Sequence, residues 1–256
     1  MTPSAIILAG SRPGGDSFAE SVGVPHKALI ALDGSTLLER VVSALRAAGI
    51  QRISVSCNAG PVAELARALQ VATISAEDGP SGSVAAAFKE LGAPMIVTTS
   101  DHALLRKEWV GELIDKTPET ADLAVMLAER SAIERALPSA RRTYLRFSDG
   151  DWSGCNLFYL RTPRAGKAID IWATVEADRK RPWRIAARLG VLTLVQMLFR
   201  RLSLSEGVAR LGDRIGINAT LVSATDGLAA VDVDKLEDLE AVRQILLDRR
   251  NDPSES

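Results

Sequence analysis

The 256-residue chain predicts an α/β fold, a three-layer α/β/α sandwich with a mostly parallel central sheet. Three observations predict it. Short apolar runs alternate with amphipathic helical segments through the first hundred residues. A glycine-rich loop follows the first of those runs, and an aspartate, Asp101, follows the fourth. Alternation at this spacing implies strand–helix–strand crossovers with helices on both faces. It also lines up the carboxyl ends of the strands, where open α/β sheets bind their ligands.

Each element has its own signal. Ala5 to Leu8 is a short apolar run that breaks at Gly10, which reads as a buried strand. In Thr36 to Ala48, the residues Leu37, Leu38, Val41, Val42 and Leu45 share one helical face, and Gly49 supplies a stop tolerant of positive φ. Arg52–Ser56 is the second strand, Val62–Leu69 the second helix and Ala72–Ser75 the third strand. Ser83–Leu91 is the third helix and Met95–Thr99 the fourth strand. Beyond Asp101 the pattern changes. Leu123–Leu127, Arg142–Phe147 and Asn156–Leu160 read as strands of a mixed sheet edge or of a lid. Leu221–Ser223 is a weak strand, Leu236–Asp248 is a closing amphipathic helix, and Asn251–Ser256 should fray. No repeat or low-complexity linker divides the chain, so 1–256 is expected to be one domain with a helical insertion over 164–216.

Composition narrows the function classes. Hydrophobic residues at 46% and charged residues at 25% are ordinary globular values, and a net charge of -1 gives no electrostatic reason to expect a nucleic acid partner. The two cysteines, Cys57 and Cys155, have no metal-ligand spacing to each other or to His26 and His102, and read as buried thiols in a reducing compartment. The N-terminus has no basic n-region and only a brief apolar run, so no signal peptide is expected and the cytoplasm is the expected location. One segment stands apart. Between Arg179 and Arg201 the sequence runs from a basic cluster through Trp183 into Leu189–Phe199, about ten apolar residues against the ~20 needed to span a bilayer. Basic flanks suit a helix lying at a membrane surface. Packing of the same helix on the core, or on a second subunit in a homodimer, is the alternative.

The N-terminal loop carries the chemistry. Gly10, Gly14 and Gly15 let backbone N–H groups approach an anion, and Arg12 and Lys27 offset its charge. Gly10 and Gly15 have the spacing of a Walker A loop, but Asp16 stands where its lysine should be, and G-x-G-x-x-G is missing as well. Ala5-Ile-Ile-Leu-Ala-Gly-Ser-Arg-Pro-Gly-Gly followed by Pro25-His-Lys-Ala-Leu resembles instead the signature of the nucleotidyltransferase superfamily with the glycosyltransferase A-type fold, whose pattern is roughly L-A-G-G-x-S-x-R-M-G and then a lysine. Molybdenum cofactor guanylyl- and cytidylyltransferases are among its members. Ser11 replaces the second glycine here. The resemblance implies a Rossmann-like sheet, a nucleoside triphosphate on Leu8, Ala9, Gly10, Ser11, Gly14 and Gly15, and catalytic roles for Arg12 and Lys27.

Nucleotidyl transfer joins two anions, so the protein must hold them in line and neutralise charge, usually with Mg²⁺ on carboxylates, phosphates and water. Asp101 is the first candidate, as both metal ligand and catalytic residue; it resembles the superfamily's s-D-x-P-l-l aspartate, with Ala103 at the proline position. The second comes from Ala230-Val-Asp-Val-Asp-Lys-Leu-Glu-Asp-Leu, similar to the closing D-x-D-t-P-e-D-L motif. Asp234 is preferred and Asp232 second, although Asp234 also fits a helix N-cap with Glu237 as its capping-box partner. Gly79-Pro-Ser-Gly-Ser83 resembles the element that contacts the nucleoside, giving Gly79, Pro80, Ser81 and Ser83; an N-cap by Ser81 or Ser83 is the plainer reading. Gly154 and Asn156 resemble the acceptor-facing G-G-N element, with Cys155 a departure, and Arg142 offers a cation for an acceptor phosphate. The expected reaction is Mg²⁺-dependent transfer of a nucleotide, from CTP or GTP, to a phosphorylated small molecule, cofactor precursor or lipid head group. Glycosyl transfer from a nucleotide sugar and a non-catalytic nucleotide-binding role are the alternatives.

Overall fold

The computed structural model describes residues 2–11, 15–138, 142–177 and 201–251. Its elements follow in chain order: β1 (Ser4–Leu8), α1 (Ser17–Ser21), a 3₁₀ turn (Lys27–Leu29), the short hairpin β2 (Ala31–Leu32) and β3 (Ser35–Thr36), α2 (Leu37–Ala47), β4 (Ile53–Cys57), α3 (Pro61–Ala68), β5 (Ala72–Ser75), α4 (Pro80–Leu91), β6 (Met95–Thr99) and α5 (Lys107–Asp115). The second half adds β7 (Leu123–Glu129), α6 (Arg130–Ala136), β8 (Leu145–Phe147), β9 (Gly150–Leu160), α7 (Gly166–Ala177), α8 (Leu204–Ile215), β10 (Ala219–Ser223), a 3₁₀ turn (Gly227–Ala230) and α9 (Leu236–Asn251).

One eight-stranded sheet organises the molecule, in the order β10-β7-β9-β6-β1-β4-β5 with β8 attached to β9. β1 runs parallel to both β4 and β6, and β5 parallel to β4, so these strands end at one edge. The larger core holds α2 and α5 against one face through Leu37, Leu38, Val41, Trp109 and Leu113. A smaller one holds Val84 and Ala87 of α4 and Ile169 of α7 with Ile6, Met95 and Val97. This is the Rossmann-like α/β/α arrangement expected from the alternation.

Sequence and structure differ over two strands that matter for the site. Arg142–Phe147 is strand only over Leu145–Phe147, which leaves Arg142 and Tyr144 in the approach to β8. The strand expected over Asn156–Leu160 begins at Gly150 and lies inside the sheet rather than at its edge, antiparallel to β6 on one side and β7 on the other. Its pairing with β7 shifts register between Val125 and Leu127. Asn156 lies opposite this irregularity with φ 48°, a left-handed conformation that asparagine tolerates better than most residues. Between β9 and β10, in the stretch expected as a helical insertion, the described residues form α7 and α8. The basic-flanked segment 179–201, expected as a helix at a membrane surface, on the core or on a second subunit, lies outside the described residues except for Arg201. None of the described helices is long and apolar enough to cross a membrane.

The start of α2 shows how local chemistry fixes an element that shapes the site. Thr36 Oγ1 accepts from the Glu39 N–H at 3.2 Å and Glu39 accepts from the Thr36 N–H at 2.5 Å, a complete capping box. Gly49, just beyond the far end, has φ 83°. Thr36→Ala should cost about 1 kcal/mol of stability, measured by urea unfolding, with an unchanged fold.

Candidate active site

Parallel strands deliver their following loops to a common edge, and the described candidate residues in the loops after β1, β5 and β6 lie along it. Leu8 ends β1, Ala9 is buried behind it, and the Ser100 N–H donates to the Leu8 carbonyl at 3.0 Å, tying the Asp101 turn to the glycine loop. Gly10 lies against the loop after β5: a Cβ there would stand 3.3 Å from Cβ of Ala76. Ser11 follows, its N–H 3.3 Å from Oδ1 of Asn58. Arg12 and Gly14 lie outside the described residues. Gly15 has φ 84°, and Asp16, in the Walker lysine's place, accepts from the Phe18 and Ala19 N–H groups as the N-cap of α1.

Lys27 is presented by the 3₁₀ turn, whose N-cap is His26: Nδ1 of the imidazole accepts from the Ala28 N–H at 3.0 Å. Burial lowers the His26 pKa and favours the neutral ring, whose Nδ1 can accept; the Gly10 carbonyl partly opposes this. The Lys27 ammonium pairs with Asp101 Oδ2 and with Asp234 Oδ1, the latter at 2.9 Å. Burial works against that charge, but Asp101 and then Asp234 outweigh it and hold the Lys27 pKa well above its ordinary value. Asp101 is itself buried, and its Oδ1 accepts from the Thr99 hydroxyl. The C-terminal segment is pinned beside it by the Val233 N–H, which donates to the Asp101 carbonyl at 3.0 Å.

Asp234 and Asp232, the first and second candidates for the other metal ligand, have different partners. Asp234 faces Lys27, while Asp232 is buried and accepts from Arg142 Nη1 at 2.7 Å and Asn156 Nδ2 at 2.8 Å. Burial raises the Asp232 pKa despite the opposing pull of Arg142. The capping box of Asp234 with Glu237 does not form; the Asp234 N–H donates to Asp238 Oδ2 at 3.2 Å instead. Gly154 is exposed with open space where a side chain would be, and Cys155 between it and Asn156 points into the core, as strand alternation requires.

The helix at the nucleoside element begins earlier than Ser83: Gly79 is the N-cap of α4 and Pro80 its first residue. Neither Ser81 nor Ser83 caps it. Ser83 Oγ accepts from the Glu77 N–H at 3.0 Å, and Ser81 donates from both its hydroxyl, at 2.5 Å, and its N–H, at 3.1 Å, to Oε2 of Glu176. Glu176 and the capping role of His26 both escaped the sequence reading. Glu176 sits 95 positions from Ser81, so only packing of α7 on α4 brings it there. His26 did carry a local signal, since it directly precedes Lys27.

Among the described residues no group of three or more His, Cys, Asp or Glu side chains is placed to hold a metal ion. Two carboxylates from distant segments, Asp101 and Asp234, do converge on one cation. That donor set fits Mg²⁺, which commonly takes one or two protein carboxylates and fills its octahedron with phosphates and water.

A family model described as a MobA-like NTP transferase domain matches residues 5–162, from β1 through the end of β9. The chain belongs to that family. Among solved structures, a hypothetical transferase from Thermus thermophilus is 34% identical over 93% of this chain and 100% of its own, with a TM-score of 0.81. A CMP:2-keto-3-deoxy-manno-octonic acid synthetase complexed with CTP is 16% identical over 97% of this chain and 99% of its own, with a TM-score of 0.58. A nucleotidyl transferase from Methanothermobacter thermautotrophicus is likewise 16% identical, over 98% and 99%, with a TM-score of 0.57; at that identity the likeness of these two is one of fold. No curated protein matches the chain. Membership in the MobA-like NTP transferase family makes the protein a nucleotidyltransferase.

Proposed function

We propose that the protein transfers the nucleoside monophosphate of CTP or GTP to a phosphorylated acceptor, with Mg²⁺, releasing pyrophosphate. One observation carries the reading: Asp101 and Asp234, from distant parts of the chain, meet on Lys27 beside the glycine loop at the carboxyl edge of the sheet. In this reading a phosphate oxygen of the acceptor attacks the α-phosphorus, the bond to the bridging oxygen breaks, and pyrophosphate departs. The backbone of Gly10, Ser11 and Gly15 cradles the triphosphate together with Arg12 and Gly14. Lys27 holds it by charge, and Gly79, Pro80, Ser81 and Ser83 meet the nucleoside. Asp101 and Asp234 hold Mg²⁺, which when bound neutralises charge on the reacting phosphates. Asp232 anchors Arg142 and Asn156 rather than the metal, and those two face the acceptor with Gly154.

The acceptor classes are a phosphorylated small molecule, a cofactor precursor and a lipid head group. They are tested by product analysis with each triphosphate and a phosphorylated acceptor panel. Pyrophosphate formed in step with the nucleotidylated acceptor supports the reading. Release of a nucleoside diphosphate from a nucleotide sugar would replace it with glycosyl transfer, and binding without turnover across the panel would replace it with a non-catalytic role.

A further inference from the structure

We propose that Lys27 is the resident counter-ion of the Asp101–Asp234 pair, and that it excludes a divalent cation from those carboxylates until a triphosphate draws it away. This rests on the nucleotidyl-transfer reading and adds an order of events to it.

The geometry already places one cation between the two carboxylates. The Lys27 ammonium contacts one oxygen of each carboxylate, so it stands on the side where a shared divalent ion would bind. Two cations cannot share that position without strong repulsion in a partly desolvated site. Asp101 cannot turn aside freely, because its other oxygen is held by the Thr99 hydroxyl and its carbonyl by the Val233 N–H. Arg142, the next cation, is already committed to Asp232. The group that can move is the lysine: its backbone is fixed in a 3₁₀ turn capped by His26, but its ammonium rides on a flexible four-carbon stem.

A destination lies close by. His26, one residue away, abuts Gly10, so the turn carrying Lys27 borders the loop proposed to hold the triphosphate. A triphosphate there offers the ammonium more negative charge than two carboxylates. Once it has swung across, the carboxylates present two unpaired oxygens to the cation that accompanies the nucleotide. Cation and nucleotide must then bind with positive coupling, and by linkage each raises the affinity of the other by the same factor.

The experiment is Mn²⁺ binding, followed by electron paramagnetic resonance of free Mn²⁺, to wild type, Lys27→Met and Lys27→Arg, without nucleotide and with CTP or GTP. Lys27→Met is expected to bind Mn²⁺ alone at least ten-fold more tightly than wild type, and Lys27→Arg to remain at the wild-type level. Adding Asp234→Asn to Lys27→Met should abolish the gain. A thermal melt of each variant confirms that it is folded. If Mn²⁺ bound wild type with nucleotide and was lost in Asp101→Asn, yet bound Lys27→Met no more tightly than wild type, the exclusion would be wrong and the nucleotidyl-transfer site would stand. Mn²⁺ binding that depended on neither Asp101 nor Asp234 would overturn both.

Discussion

Asp101→Asn should lower turnover by about 10³-fold while leaving the protein folded, because it removes one negative charge at the centre of the site and little else. The substituted amide can still accept from the Thr99 hydroxyl, and the backbone bond from Val233 is untouched. What is lost is half of the charge that holds Lys27 and, in the proposed reaction, the metal. The loss should appear in kcat, since an interaction with charge developing on the phosphates matters most in the transition state. Steady-state kinetics of pyrophosphate release, with circular dichroism as the folding control, checks this. A variant retaining more than a tenth of wild-type kcat would remove Asp101 from the reaction.

Gly227→Ala should be the most damaging single methyl group in the described chain. Gly227 opens the 3₁₀ turn packed on α6, and a Cβ there would lie 2.3 Å from both the carbonyl carbon and oxygen of Ala132 and 2.5 Å from the Ile133 nitrogen. These are backbone atoms inside a helix, so no side chain can swing away to make room. Overpacking of this kind costs about 3 kcal/mol or more, which in a domain of this size lowers Tm by about 6–12 °C. The same turn leads directly into Val231–Asp234, so the displacement should also loosen the Arg142–Asp232 and Lys27–Asp234 pairs. Gly154→Ala is the matched control: its Cβ would enter open space, and the expected change in stability is within about 0.5 kcal/mol. Differential scanning calorimetry of the two variants side by side makes the comparison.

How much of this was legible in the sequence depends on how local each signal is. β6 was readable from Met95 to Thr99, and the stop at Gly49 from one residue, because both are written in adjacent side chains. Asp101 was readable for the same reason: it lies two residues past a strand whose end any open α/β sheet turns toward its ligand. The central position of β9 was not, since pairing with β6 and β7 is decided by partners tens of residues away. The start of α4 was misplaced because Ser81 and Ser83 look like caps, while the actual cap is a glycine with a positive φ of 93°. Ser81 instead meets Glu176, which no spacing rule connects to it. The sequence ranked Asp234 above Asp232 as metal ligand but showed the partners of neither. Burial selected Arg142 and Asn156 for one, and Lys27 took the other.

The most direct test is the thermal stability of wild type and Asp101→Ala against CTP, GTP, ATP and UTP, each with and without Mg²⁺. Ligand at about 100 times its Kd stabilises the folded state by about 2.7 kcal/mol, a rise of several degrees. The site described here predicts that rise for CTP or GTP with Mg²⁺, its weakening without Mg²⁺ and its loss in Asp101→Ala. No response of the folded wild type to any triphosphate, or a response that Asp101→Ala retains in full, would contradict it.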